Sequence, residues 1–172
     1  MSARAALRSA TAAKHDAVDT AFGRFDLSDR ASYGQFLTTH ARVLPAVERA
    51  LAACPALPTF GPRAALLRAD LEALGLSIPQ ILAVADPQSE AAAFGALYVI
   101  EGSRLGGAML AKQVAPPLPR AYLSAIHQPG GWRAFGDRLD RAELEGGPGW
   151  LDGAVAAAAA TFDLYLEAAE AA

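Results

Sequence analysis

Cysteine is almost missing from this chain: Cys54 stands alone among 172 residues. One cysteine can form neither an internal disulfide nor a cysteine-rich metal site. Long apolar runs are missing too. The longest candidate, Ala154 to Ala160, is mostly alanine and far short of the roughly 20 residues that cross a bilayer. Excess positive charge is missing: 15 Lys and Arg face 18 Asp and Glu, a net charge of −3. That balance leaves no electrostatic footprint for nucleic acid. No segment alternates apolar and polar residues long enough for a strand. There is no repeat, no low-complexity linker and no shift in composition. One domain over residues 1–172 is therefore expected.

The start, Met1-Ser2-Ala3-Arg4-Ala5-Ala6-Leu7-Arg8, runs directly into a helical pattern and lacks the apolar core of a signal peptide. A cytoplasmic protein off the membrane is the expectation. Hydrophobic residues reach 53%, much of it alanine. Alanine is the best helix former, so the excess points to helices.

Proline and glycine divide those helices. The pattern predicts helices over about 3–22, 29–53, 63–74, 87–114 and 150–169. Two short ones are expected at 120–126 and 132–144. Ser28 is the expected N-cap of the second helix, and Pro45 is expected to kink or split it. Asp86-Pro87 reads as the start of the fourth, with aspartate as N-cap and proline at the first helical position. The expected fold is a compact all-α domain resembling a helical bundle.

The fourth helix carries Gly95, Gly102, Gly106 and Gly107. Each glycine in a helix costs about 1 kcal/mol relative to alanine. Four cost roughly 4 kcal/mol, against a typical net stability of about 5–15 kcal/mol. In so alanine-rich a chain, something needs the bare backbone to come close. Gly95, Gly102 and Gly106 share one face, and Gly107 widens it. Two readings stand side by side: tight packing of another helix, or a flat ligand against that face.

On the first helix Arg8, Thr11, His15, Val18, Asp19 and Phe22 follow one another at spacings of three and four. Imidazole is a common metal ligand, and its second nitrogen needs an acceptor to fix the tautomer. Asp19, one turn on, can supply it. Arg8 can meet an anionic edge of a ligand. A lone helical histidine is usually a surface or packed residue, and spacing alone favours that reading over a ligand. His40, before Pro45, reads as structural. His127, in a proline- and glycine-rich loop, reads as solvated. The three do not form a His-x-x-x-His zinc signature.

Leu7-Arg8-Ser9-Ala10-Thr11-Ala12-Ala13-Lys14-His15 resembles the start of heme oxygenases, with their Ala-Thr-x-x-x-His. Leu97-Tyr98-Val99-Ile100-Glu101-Gly102-Ser103-Arg104-Leu105-Gly106-Gly107 resembles their distal helix. The Glu-Gly-Ser-x-Leu-Gly-Gly form is most similar to the bacterial branch often paired with bacteriophytochromes. Phe25-Asp26-Leu27 and Tyr33-x-x-Phe36-Leu37-x-x-His40 match in order.

The resemblance implies a single-domain heme oxygenase-like fold with heme b as both substrate and cofactor. It is cleaved with O2 and electrons from a donor such as ferredoxin or a reductase. The products are biliverdin, CO and ferrous iron, and a bacteriophytochrome is an implied recipient of biliverdin. His15 matches the proximal ligand and Asp19 its acidic support. Thr11 and Arg8 match the heme-facing side of that helix, Arg8 at a propionate-contacting position. Gly102, Gly106 and Gly107 match the distal glycines. Ser103 stands where many members carry an aspartate that organises distal water. A serine can hydrogen-bond water but holds no negative charge. Arg133 and Arg138 lie near the expected C-terminal propionate anchor, neither cleanly in register. With no Cys-x-x-Cys-His, the heme is held noncovalently. A heme sensor or carrier without turnover is the alternative, and a helical protein with merely packed glycines is a third.

Overall fold

Short polar side chains cap three of the helices. In the computed structural model, which describes residues 1–172, the chain forms six α-helices and no strand. Helix α1 spans Ala3–Phe22, and its N-cap Ser2 accepts from the Ala5 N–H. Helix α2 spans Arg30–Ala52. Its cap is Asp29, which accepts from the Ser32 N–H at 2.8 Å. Ser28, the expected cap, donates instead from its N–H and its hydroxyl to Asp26 in the preceding turn. Pro45 does not split α2. Val43, Leu44, Ala46 and Val47 are all buried around it, and that packing holds the helix across the missing N–H.

Helix α3 spans Ala64–Ala73, and Gly75 follows it in the left-handed region at φ +71°. Helix α4 spans Glu90–Leu110 and departs from expectation at both ends. Ser89, not Asp86, is its cap, accepting from the Ala92 N–H at 3.1 Å. The Asp86 carboxylate lies 3.8 Å from Arg49 instead. Beyond Leu110 the chain tightens into turns: the Lys112 and Gln113 N–H groups bond three residues back, to Met109 and Leu110. Residues 120–126, expected as a helix, hold only a turn over 121–124. One i→i−4 bond forms, Ser124 N–H to Arg120, and the next N–H groups turn back more tightly to Tyr122 and Ser124, so no helix propagates. Asp70 of α3 satisfies the free donors of this turn: its two carboxylate oxygens accept the Ala121 and Tyr122 N–H groups at 3.0 and 2.8 Å. Helices α5, Gly131–Gly146, and α6, Trp150–Glu170, complete the chain.

Helix α6 organises the rest. Helices α1 and α4 both pack on it, and both also meet α5, rather than packing on each other. Its small side chains allow close approach. Ala154, Ala158 and Ala168 are fully buried, and a Cβ on Gly95 of α4 would overlap the Ala154 carbonyl. Gly95 is therefore a packing glycine. None of the six helices is long and apolar enough to cross a membrane.

Gly95→Ala should lower stability by about 1–3 kcal/mol, because backbone rather than a flexible side chain blocks the added methyl. The urea midpoint measures this. An unchanged midpoint would show that α6 yields at Ala154.

Candidate functional site

His15 sits on the edge of α1 at the border of its buried stripe, with 58% of its side chain exposed. Its Nδ1 lies 3.2 Å from the Asp19 carboxylate, one turn on. Asp16 is farther, at 4.0 Å. Phe162 of α6 meets the imidazole edge-on at 5.9 Å between centroids. Nδ1 thus has a carboxylate beside it and the ring meets an aromatic wall. With the proton on Nδ1, facing that carboxylate, Nε2 keeps its lone pair free. No three His, Cys, Asp or Glu side chains converge to hold a free metal ion.

The expected face of α1 is only partly realised. Thr11 is buried, and its hydroxyl donates to the Leu7 carbonyl at 2.8 Å, so it serves the helix itself. Arg8 is exposed and reaches Tyr98 of α4 electrostatically. Burial raises the Tyr98 phenol, and Arg8 and then Arg4 pull it back down. Arg4, which spacing did not single out, lies with its guanidinium 5.7 Å from the Trp132 ring centre and close over Gly136. Arg133 and Arg138 are exposed on α5 without a hydrogen-bond or ion-pair partner. Two cations, Arg4 and Arg8, thus border the space between α1 and α4.

The glycines of α4 divide in two. Gly95 packs on α6, as above. Gly107 is buried against the Leu123 carbonyl, which would lie 3.2 Å from an added Cβ. The structure therefore gives Gly95 and Gly107 packing roles, the first of the two readings their periodicity left open. Gly106 differs: nothing lies within 4 Å of its missing Cβ. Gly102 faces the Trp132 ring at an ordinary 3.6 Å. On the same side of α4 the large apolar residues Leu105 and Met109 are 49% and 70% exposed. An open glycine flanked by exposed apolar side chains is a surface shaped for an apolar body rather than for water.

Ser103 points to the interior. Its hydroxyl donates to the Ile100 carbonyl and accepts from Arg63, both at 2.7 Å. Arg63 is buried, also donates to the Ile100 carbonyl at 2.9 Å, and lies 5.1 Å over the Tyr122 ring. Tyr122 shares a hydrogen bond with His40 Nδ1 at 3.0 Å. Behind α4 there is thus a buried polar chain, Ser103–Arg63–Tyr122–His40. Arg63 and Tyr122 carry no local sequence signal; tertiary packing alone joins them to Ser103. His40 is structural, as expected. His127 is not solvated: its Nε2 lies 3.0 Å from Glu101, with only 12% of its side chain exposed.

Two recesses open on the surface, the first away from α1 and α4 and the second against α4 beside Gly106. One of about 600 Å³ is bordered by Thr38, Arg42, Leu76 and Ala172 and contains none of these residues. The other, about 310 Å³, is lined by Leu105, His127, Trp132 and Arg133.

The fold is thus all-α, with an exposed histidine beside a carboxylate on one helix and an open glycine face on another. The chain resembles a heme oxygenase of Xanthomonas campestris pv. campestris (strain 8004). The two are 37% identical over 120 residues, 62% of this chain and 71% of that protein. It also superposes on the NO- and CO-bound heme oxygenase of Neisseria meningitidis with a TM-score of 0.83 and 24% identity, covering 99% of this chain and 92% of that one. No family model matches the chain. The chain belongs to the heme oxygenase family.

Burial, reinforced by the charge of Arg63, holds His40 down to about 3, against 6.5 for a free imidazole. Between those values the unfolded chain binds one proton more than the folded one, so stability rises with pH there. Stability should be full above about pH 6.5 and decline as pH falls toward about 3. Urea midpoints between pH 7 and 4 measure the slope. His40→Gln, which keeps a partner for Tyr122, should flatten it; an unchanged slope would assign the loss to other groups.

Proposed function

We propose that the space between α1 and α4 binds heme through His15 Nε2 and that the chain cleaves it oxidatively to biliverdin, CO and ferrous iron. One observation carries the reading: the tethered imidazole of His15 on α1 and the open Gly106 face of α4 are set on the same helix, α6. The residues fit the ligand. Its iron needs one neutral nitrogen donor, its ring an apolar slot with a bare backbone, and its two carboxylates cations at the rim. His15, Gly106 with Leu105 and Met109, and Arg4 with Arg8 meet these needs in turn.

Bound heme supplies the iron that takes O2 and the ring that is opened; electrons come from an external donor. The chain's own work is positioning. Asp19 holds the His15 tautomer and ring orientation. Gly106 leaves room on the opposite side. Arg63 pins Ser103 and the Ile100 carbonyl, fixing the backbone of α4 just where the glycines weaken it. The Ser103 oxygen, with one proton donated and one bond accepted, keeps a lone pair for a water. The buried polar chain behind it is the source from which such a water is oriented. Heme b, held noncovalently, is the form this reading takes, and the chain carries no Cys-x-x-Cys-His for covalent attachment. A ferredoxin or reductase as electron donor and a bacteriophytochrome as recipient of biliverdin belong to the same reading.

Hemin titration should give a Soret shift that His15→Ala abolishes, and Asp19→Ala should weaken binding about 10–100-fold. The heme complex with reductant and O2 should give bilin absorption and CO. A stable oxygenated complex or plain bleaching would instead identify a heme carrier or sensor.

Gly106→Ala separates the two uses of glycine. Without ligand it should be neutral or stabilising by up to about 1 kcal/mol, since alanine favours helix and the space is open. Hemin affinity should fall by tenfold or more. Equal affinity with and without the methyl would remove Gly106 from the site.

A further inference from the structure

Trp132 stands where four parts of the chain meet. Its ring lies 6.0 Å from Tyr98 of α4, 5.7 Å from His127 in the loop before α5, and stacks at 5.5 Å on Phe135 of α5. Arg4 of α1 lies over it. Its ring edge occupies the side of α4 that Gly102 leaves bare. This places an indole at one end of the space between α1 and α4, beside the cationic rim.

The indole is placed by a buried ionic cluster. Glu101, one residue before Gly102, uses both carboxylate oxygens: Oε1 accepts from Arg104 Nε at 3.0 Å and Oε2 pairs with His127 Nε2 at 3.0 Å. Arg104 also donates to the carbonyls of Ala125 and Gly61. The cluster thus fastens the loop after α4 back onto α4 beside the glycine face. A buried charged contact of this kind is a poor source of stability but a good device for fixing register. A hydrophobic contact alone would let the loop slide, because dispersion is non-directional.

We propose that Trp132 is a specificity-determining wall of the site and that Glu101 and His127 are positioning residues that hold it there. The wall limits how the flat ligand turns in its own plane, and so decides which edge of the ring lies against Gly106. This inference rests on the heme reading of the cleft.

The test uses the full chain with hemin. Proton NMR of the ferric cyanide complex reports the in-plane orientation without turnover, and chromatography of the products reports which biliverdin isomers form. Wild type should show one dominant orientation and one dominant isomer. Trp132→Ala should raise the minor forms at least tenfold with hemin still bound. His127→Leu, which leaves Glu101 paired to Arg104, should do the same in part. His127→Gln, whose amide can still donate to Glu101, should restore the wild-type pattern. Thermal melting of each variant separates loss of fold from loss of placement. If Trp132→Ala leaves both patterns unchanged, the wall is refuted. If it changes them but His127→Leu does not, the positioning role is refuted. If wild type binds no hemin, the reading of the cleft fails and this inference falls with it; unchanged patterns in heme-bound variants overturn this inference alone.

Discussion

The close approach of α4 to α6 at Gly95 and Ala154 is the constraint on which the site depends. Two helix backbones meet there with no side chain between them. Because α4 is drawn down onto α6, and α1 lies on α6 as well, the two flanking helices share a floor. A larger residue at position 95 would lift α4 and move every functional group it carries. The alanines of α6 serve the same end: Ala154, Ala158 and Ala168 fill little volume, so neighbouring helices sit close while the core stays closed.

Above that floor the chain uses two chemistries for two tasks. Where a side chain must be aimed, a carboxylate does it: Asp19 for His15, Glu101 for His127, Asp70 for the turn at Ala121 and Tyr122. Where space must be kept, a side chain is omitted, as at Gly106. The buried polar chain behind α4 compensates for the helix weakness that omission causes. Arg63 reaches the Ile100 carbonyl and the Ser103 hydroxyl together, tying one turn of α4 to the segment before α3.

How much of this was legible depends on whether a contact is local. His15 and Asp19 are one turn apart, so their contact could be read from spacing. So could the existence of all six helices, since alanine and the Pro/Gly breaks set them, though a seventh expected at 120–126 does not form. The start of α4 could not, because Asp86-Pro87 and Ser89 are both good starts, and only the structure shows that Ser89 accepts from the Ala92 N–H while Asp86 faces Arg49. The glycines show the limit most clearly. Periodicity put Gly95 and Gly106 on one face, but only the neighbours tell that α6 covers the first and nothing covers the second. Arg63, Arg4, Trp132 and the buried state of His127 come from contacts far apart in sequence, and no local pattern announces them.

Leu105 and Met109 carry a further consequence. Before its ligand arrives, the chain exposes apolar side chains beside a helix weakened by glycine. A partner that binds only the folded form raises its stability in proportion to the logarithm of that partner's concentration. On the function proposed above, the folded fraction of this chain should therefore follow the supply of its ligand, through the same apolar face that the ligand would cover.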